Sequence, residues 1–374
     1  MRASSRRVAL KQVRSSDAAL LEAVFAQAPL SRADASELLG ISKPTASYAA
    51  GRLERAGLIQ RAGQATGRRG RAPVLYQPAP EFGWSLALAA RSGELGARCI
   101  DLTDSVLEES RIELTPNLKP EAFERVLMAE LHHLCRQRGK PQGAAVSVAV
   151  PVDPSTSRPE PAAEAPFPAA DVDLRSLLEP FCHGAVLIDN DVNWAAGWAC
   201  DEHPDLRRKL VLHVHLGAGL GAALTVNGQV VRGRQGRLGE IMRLRGQGLT
   251  VTQRLRRLGA LGGSGNYIDV EKALKLIASD EPGGELLCAL MAEAVGNAIV
   301  VVDPDELVVS GPFVENASAR ARIRRCLEQQ VDGDLPHGRA LGVGQDAALL
   351  GAHVGARNLL RQAARDALED LVEV

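Results

Sequence analysis

Residues Leu30 to Leu58, LSRADASELLGISKPTASYAAGRLERAGL, admit few folds. Ser31 followed by Asp34 is a short-acid variant of the capping box, and Ala35, Leu38 and Leu39 fall on one face of the helix it opens. Gly40 supplies the positive φ of a tight inter-helix turn, Ile41 plugs that turn, and Ser42 caps a second helix predicted to reach about Arg55 and to stop at Gly57. On the second helix Ala46, Ala49, Ala50 and Leu53 face inward. Ser42, Lys43, Thr45, Ser47, Tyr48 and Arg52 are left pointing out. Such a small, polar, basic outer face suits a DNA major groove, where bulky acids would meet phosphate.

The flanks extend this pattern. Ser16-Asp17 reads as the cap of a preceding helix with Leu20, Leu21, Val24 and Phe25 as its buried stripe, ending before Pro29. Leu58 to Arg61 and Val74 to Gln77 alternate as short strands around Gly63 to Pro73. Arg68, Arg69 and Arg71 sit among glycines there, as in a wing whose guanidiniums enter a minor groove or clamp phosphates. The plainer alternative is a three-helix module with a solvated basic loop. Cap, glycine turn, basic face and wing in register favour DNA binding. Pro78-Ala79-Pro80 closes the unit, so residues 1–80 are expected to form a winged helix-turn-helix domain.

Charge supports the division. Residues 1–80 carry 13 Lys+Arg against 5 Asp+Glu, and the remainder 31 against 40, so only the head favours a polyanion. Six scattered cysteines without a CxxC pair suit free thiols in a reducing compartment. No apolar run looks long enough to span a bilayer, and the basic N-terminus lacks an apolar segment behind it. The expectation is a cytoplasmic protein with no membrane partner.

Beyond the head, strands are predicted at Trp84 to Ala90, Gly96 to Leu102 and Ser105 to Glu108, then a helix over Pro120 to Arg138 and a buried strand Ala144 to Val150. Pro151 to Pro168 holds six prolines and reads as a surface loop. A short helix at Leu174 to Leu178 precedes a strand Ala185 to Ile188. The logic then repeats: a strand Leu210 to Leu216, a glycine turn Gly217 to Gly221, a strand Ala222 to Val226, the hairpin turn Asn227-Gly228 and a partner strand Gln229 to Val231. Helices follow near Thr250 to Leu258, Val270 to Ile277 and Glu285 to Val300, then a strand Leu307 to Ser310 and a helical run Asp346 to Leu371. Two successive blocks of meander, helix and strand imply a duplicated α/β fold with a cleft between lobes.

IDNDVN, residues 188–193, lies where a buried strand ends, the place where open α/β sheets hold ligands. Carboxylate and amide groups there can grip vicinal hydroxyls; a capped strand-to-helix turn explains the same residues equally well. IDNDVNWAAGWA followed by HLGAGLGAALTVNGQVVRGRQGRLGE resembles the ROK family of sugar kinases and sugar-responsive repressors. That family strings an ND-x-N segment, a GTGxGxG-type turn, a G-x-L/I-x-x-G hairpin and an AGE-I/L-G-H segment in this order. VDPDELVVSGP and LGVGQDAALLGAH also resemble it, and a winged helix ending in GR-x-GRxP is how its repressor branch is built, with Ala72 the departure here. The resemblance implies a two-lobed, actin-like α/β body over 81–374. One lobe would comprise 81–188 with the C-terminal helix 346–374, and the other 189–345.

Carried over by position, the resemblance makes Asn190 and Asp191 contacts to sugar hydroxyls, with Asp191 at the place of the kinases' general base. Glu240 completes the clamp; its plainer role is an ion pair with Arg237 or Arg243. The departures point away from catalysis. Where the kinases have a D-x-G-x-T phosphate loop, this chain has Ala89 for the aspartate and Gly93 for the threonine, with Arg91-Ser92 between, and Ala218 replaces the usual threonine of the second phosphate turn. The family's zinc-binding GH and CxCGxxGC are absent: Arg243 stands at the expected histidine, no cysteine lies between Cys200 and Cys288, and His213 and His215 are strand residues without metal partners. The resulting expectation has no catalytic residue, no metal and no cofactor. Its partners are a palindromic double-stranded operator, a sugar or sugar-phosphate effector and further copies of the chain as a dimer or tetramer. A sugar kinase with a fused head, or an effector-independent DNA-binding dimer, are the alternatives.

Overall fold

A computed structural model describes residues 16–64, 73–91, 93–115, 118–160, 168–262, 265, 267–279, 281–331, 333–342 and 346–373. In the head, helix α1 (residues 16–27) buries Leu20, Leu21, Val24 and Phe25 as its spacing predicts. Strand β1 (Leu30–Ser31) leads into α2 (Arg32–Leu39), where the Ser31 hydroxyl accepts from the Asp34 amide at 3.1 Å and donates to the Asp34 carboxylate at 2.7 Å. Gly40 is left-handed, with φ 62°, and α3 (Lys43–Arg55) follows behind its Ser42 cap. Strands β2 (Ile59–Gln64) and β3 (Val74–Pro78) pair antiparallel, and β1 adds to the far side of β3. This is the winged arrangement; Arg68, Arg69 and Arg71, between β2 and β3 in sequence, lie outside the described residues.

Two sequence expectations fail in the head. Leu38 is 48% exposed, because α2 spans only two turns and its inner face is filled by buried Ala35 and partly buried Leu39. Ser16 and Asp17 do not cap α1: both are already helical, and Asp17 is committed elsewhere.

The first lobe is a five-stranded sheet of order β6-β5-β4-β7-β8, built from β4 (Trp84–Arg91), β5 (Glu94–Asp101), β6 (Val106–Glu113), β7 (Ala144–Val148) and β8 (Val186–Asn190). The first three form an antiparallel meander, and β7 and β8 continue parallel to β4. Helix α4 (Pro120–Arg138) covers one face and α5 (Leu174–Leu178) packs beside β8. Along β4 the period of two sorts size as well as side. Leu86, Leu88 and Ala90 face the core with Phe123 and Leu127, whereas the small Ala87 and Ala89 face the other way.

Helix α6 (Asp191–Glu202) leaves β8 directly and leads to the second lobe. That lobe repeats the order, with β11-β10-β9-β14-β15 from β9 (Leu210–Leu216), β10 (Leu220–Val226), β11 (Gln229–Val231), β14 (Glu306–Ser310) and β15 (His337–Ala340). Between them come the ribbon β12 (Arg245–Gly246) and β13 (Leu249–Thr250), then α7 (Val251–Arg257), α8 (Val270–Ala278) and α9 (Pro282–Val302). Helices α10 (Pro312–Glu315) and α11 (Ala317–Gln330) separate β14 from β15. Helix α9 is long and apolar enough to meet the length-and-composition test for a membrane span, which corrects the reading that no such run exists. Leu287, Cys288, Leu290, Met291 and Val295 on it are buried in this lobe's core.

Helix α12 (Ala347–Glu373) returns to the first lobe. Its Leu349, Ala352 and Ala356 pack against Ala87, Ala89 and Ala145. Its later turns go further: Leu360, Ala364 and Leu368 share a core with Leu20, Leu21 and Val24 of the head. Pro78-Ala79-Pro80 therefore ends the winged unit in sequence, while the head's core extends into the body.

Candidate functional site

The two sheets open onto a cleft of about 290 Å³. Asn190, Asp191 and Glu240 all line it, so the three residues singled out by sequence come together although Glu240 is some fifty positions downstream. Asn190 also caps α6: its Oδ1 accepts from the Val192 amide at 2.9 Å and its Nδ2 donates to the Val150 carbonyl at 3.2 Å. The turn-forming role and a place at the cleft thus coexist in one side chain. Asp191 accepts from the same Val192 amide at 2.8 Å. Burial, with further help from Glu240, pushes the Asp191 carboxyl up to about 6 against the opposing pull of that amide and of Arg91.

Glu240 is carried by the segment after Gly239, whose φ of 95° and amide-to-carbonyl contacts seat it on β10. A side chain at Gly239 would strike the Ala222 carbonyl, so the close approach needs glycine. Burial raises the Glu240 carboxyl above its ordinary range, and Arg243 lies 3.4 Å from it, the ion pair of the plainer reading. Arg237 turns away to Glu160 at 3.0 Å, where Arg243 joins it at 3.3 Å.

Several polar residues in or next to the cleft were not assigned to it by sequence. Asp189, buried one position before Asn190, accepts from the Asn193 amide at 2.8 Å and from Arg232 at 2.6 Å. Arg232 follows β11, so this pair ties the second lobe's hairpin to the end of the first lobe's sheet. Arg91 and His215 also line the cleft. His215 and His213 both approach the Ser310 hydroxyl, at 3.3 and 2.9 Å, and among the described residues no cluster of acids, cysteines and histidines has metal-binding geometry. In the segment where the zinc module would lie, the β12–β13 ribbon, Val251 and Leu255 in the core, and the Arg254–Glu293 pair supply packing.

On the head, Lys43 and Tyr48 are exposed, Tyr48 at 71%. Ser42 spends its hydroxyl on the Thr45 amide at 3.2 Å and the Thr45 hydroxyl at 2.7 Å, and Ser47 accepts from Arg32 at 2.8 Å. Arg52 corrects its sequence assignment. Its Nε and Nη2 donate to Asp17 at 2.6 and 2.5 Å, and Asp17 is buried, so the guanidinium ties α3 to α1 and does not project freely.

A model of the ROK family matches residues 94–248, and one of the MarR family matches residues 13–70. The chain thus carries a MarR-type winged-helix domain and a ROK family domain. A xylose repressor from Bacillus subtilis is 23% identical over 228 residues, 59% of this chain and 58% of the relative, so the chain spans under three fifths of that relative's length. An N-acetyl-D-glucosamine kinase from Salmonella newport is 32% identical over 166 residues, 37% of this chain and 55% of the relative. Among solved structures, a ROK family transcriptional regulator described as a homolog of the E. coli MLC protein superposes with a TM-score of 0.66 at 17% identity, covering 98% of this chain and 100% of that one. A ROK family glucokinase from Streptomyces griseus with glucose and AMPPNP gives 0.54 at 18% identity, covering 74% and 100%. These structures establish the ROK fold of the body; the MLC homolog shares the head as well.

Proposed function

We propose that this ROK protein is a DNA-binding transcriptional repressor whose hold on its operator is set by a sugar in the cleft, and that it does not transfer phosphate. The observation that carries this reading is the course of α12. Its first residues, Ala347 and Ala348, form part of the cleft wall, and about three turns later Leu360 begins its contribution to the core of the head. A rearrangement at the cleft therefore has a rigid element leading to the DNA-facing helix.

That element is gripped along its length. Trp194 on α6, one turn after Asp191, lies with its backbone against Gly351 and its indole against Gly355, where an added side chain would overlap it. Arg357 reaches Asp201 at the far end of α6 (2.8 Å) and Asp104 (3.2 Å). One turn on, Arg361 donates to the Phe25 carbonyl at 3.2 Å with its guanidinium over the Phe25 ring, and Arg365 pairs with Glu22 at 2.6 Å. Helices α6 and α12 thus run side by side, one starting at the cleft residues and the other ending in the head. In a symmetric dimer or tetramer, movement of this pair on ligand binding changes the spacing of two heads over a palindromic operator.

Lys43, Thr45 and Tyr48 on α3 and Arg68, Arg69 and Arg71 of the wing are assigned to DNA; Ser42 and Ser47 shape α3 while lying beside them. Changing the three wing arginines together to alanine is expected to weaken duplex binding and to reduce the slope of log affinity against log salt by roughly two to three. An unchanged slope removes the wing from the interface.

A kinase reading draws on Asp191, which stands at the catalytic base, and on the N-acetylglucosamine kinase relative. Against it stand Ala89, Gly93 and Ala218, together with Arg91, which ends β4 next to the turn at Gly93 and adds a guanidinium to the cleft lining. Purified protein incubated with ATP and hexoses is expected to release no ADP; steady turnover lost in Asp191→Asn restores the kinase reading.

A further inference from the structure

The lining of the cleft combines two kinds of group. Asn190, Asp191 and Glu240 supply acceptors and carboxylates, suited to hydroxyls and repelling to an anion. Arg91 is the last residue of β4, at the carboxyl end of the sheet, and lies within electrostatic reach of both Asp191 and His215. It already has acid partners: Glu94 at 3.3 Å and Asp346 at 3.7 Å. Both separations exceed those of a close charge-assisted bond. Asp346 has a nearer cation in Arg111 at 2.9 Å, so it keeps a partner if Arg91 turns to a ligand. Exchange of Asp346 for an incoming anion leaves no acid stranded.

His215 adds a donor. Burial holds both His213 and His215 neutral, pushing them down to about 3 and about 4, so each ring carries one N–H. Ser310 has one proton to place between His213 Nε2 and His215 Nδ1. His213 Nδ1 is buried without a hydrogen-bond partner among the described residues. A bare lone pair at such a site is more readily tolerated than a bare N–H, so His213 carries its hydrogen on Nε2 and donates to Ser310. Ser310 then donates to His215 Nδ1, which leaves the His215 hydrogen on Nε2. His215 thus brings to the cleft a neutral ring with its N–H on Nε2, a donor where a ligand oxygen acts as acceptor. The amino-terminal residues of the 27-residue α12, Ala347 and Ala348, also line the cleft and add the positive end of the helix dipole.

Resting on the reading that a sugar occupies the cleft, we propose that the sugar is an acidic derivative, with Arg91 and His215 receiving a phosphate or carboxylate substituent while Asn190, Asp191 and Glu240 hold its hydroxyls. Specificity then comes from the charge together with the hydroxyl pattern.

The test is calorimetric titration and thermal shift of the full chain with matched pairs: glucose and glucose 6-phosphate, N-acetylglucosamine and its 6-phosphate, xylose and xylose 5-phosphate, glucose and glucuronate. One phosphorylated or uronic member is expected to bind the wild type at least tenfold more tightly than its neutral parent and to weaken as salt is raised. A phosphate hit without a uronate hit names phosphate as the group received; the converse names carboxylate. Arg91→Gln is expected to weaken the charged ligand at least tenfold and the neutral parent less than twofold, and His215→Phe to weaken the charged ligand about fivefold. If Arg91→Gln does not fold, the wild-type ratio of charged to neutral ligand decides alone. A neutral sugar that binds as tightly as its acidic partner overturns this proposal and leaves the sugar-responsive reading standing. Absence of binding by every member of the set overturns both.

Discussion

Asp191 is a half-buried carboxylate on the cleft wall, and its partial burial has a measurable consequence. Its folded-state value near 6 lies above the ordinary carboxylate value of 3.8, so the native chain binds this proton more tightly than the unfolded chain. The stabilisation linked to it is present below about pH 4 and is lost as pH rises towards about 6. Asp191→Asn is therefore expected to melt higher than wild type at pH 7, by about 1–3 kcal/mol of stability, with the gain vanishing at acid pH. The same variant is expected to lose its response to ligand while still binding DNA. Thermal unfolding across pH checks the first point, and a gain that persists undiminished at pH 4 contradicts it. Arg52 makes the opposite case. Arg52→Ala leaves the buried Asp17 unpaired and is expected to cost about 3 kcal/mol of stability, whereas Lys43→Ala and Tyr48→Ala cost under about 0.5 kcal/mol and act on DNA affinity or sequence preference. Urea denaturation beside duplex titration separates the two; a stable Arg52→Ala variant with altered base preference returns Arg52 to the groove. This pair could not be read from sequence, because Asp17 and Arg52 lie 35 positions apart and each alone looks like a cap and a groove contact.

At the scale of elements, α6 and α12 decide whether cleft and head communicate. Gly351→Ala drives a methyl into the Trp194 backbone and is expected to destabilise the body by about 1–3 kcal/mol through forced separation of the helices. Arg357→Ala frees Asp201 from Asp104 without a clash, and is expected to keep ligand binding and basal DNA binding while shrinking the ligand's effect on DNA affinity severalfold. A full effect in that variant assigns the coupling elsewhere. Elements with one clear period in a uniform environment were legible before any coordinates: α4, α5 and β9 fall at the residues their patterns predict. Helix α11 was not, because ASARARIRRCLEQQ buries only Ala319, Ile323, Cys326 and Leu327 and its arginines mask the stripe. Strand β15, HGRA, has no apolar alternation to detect and pairs only as the edge of its sheet. The candidate site divided the same way: Asn190, Asp191 and Glu240 stood out through strand-end position and family spacing, while Arg91 and His215 matter through which wall of the cleft they reach. That depends on how two lobes meet.

Taken whole, the molecule is a duplicated fold with a winged head mounted on its last helix. The lobes are tied by Arg232 to Asp189 and by Arg237 and Arg243 to Glu160, and α6 packs between them, with Trp194 on the small residues of the first lobe and Val192 and Ala196 on Ala223 of the second. A ligand supplied at a hundredfold over its dissociation constant adds about 2.7 kcal/mol to the stability of the form it binds. The central claim is that this added energy is felt at the DNA. The most direct measurement is the affinity of the full chain for a duplex selected from random sequence, with and without the sugar derivative that raises its melting temperature, in wild type and Asp191→Asn. The account predicts that the ligand changes wild-type affinity at least tenfold and leaves Asp191→Asn unaffected, with equal affinities for the two proteins in its absence. A wild-type affinity that does not move while the cleft is saturated contradicts it.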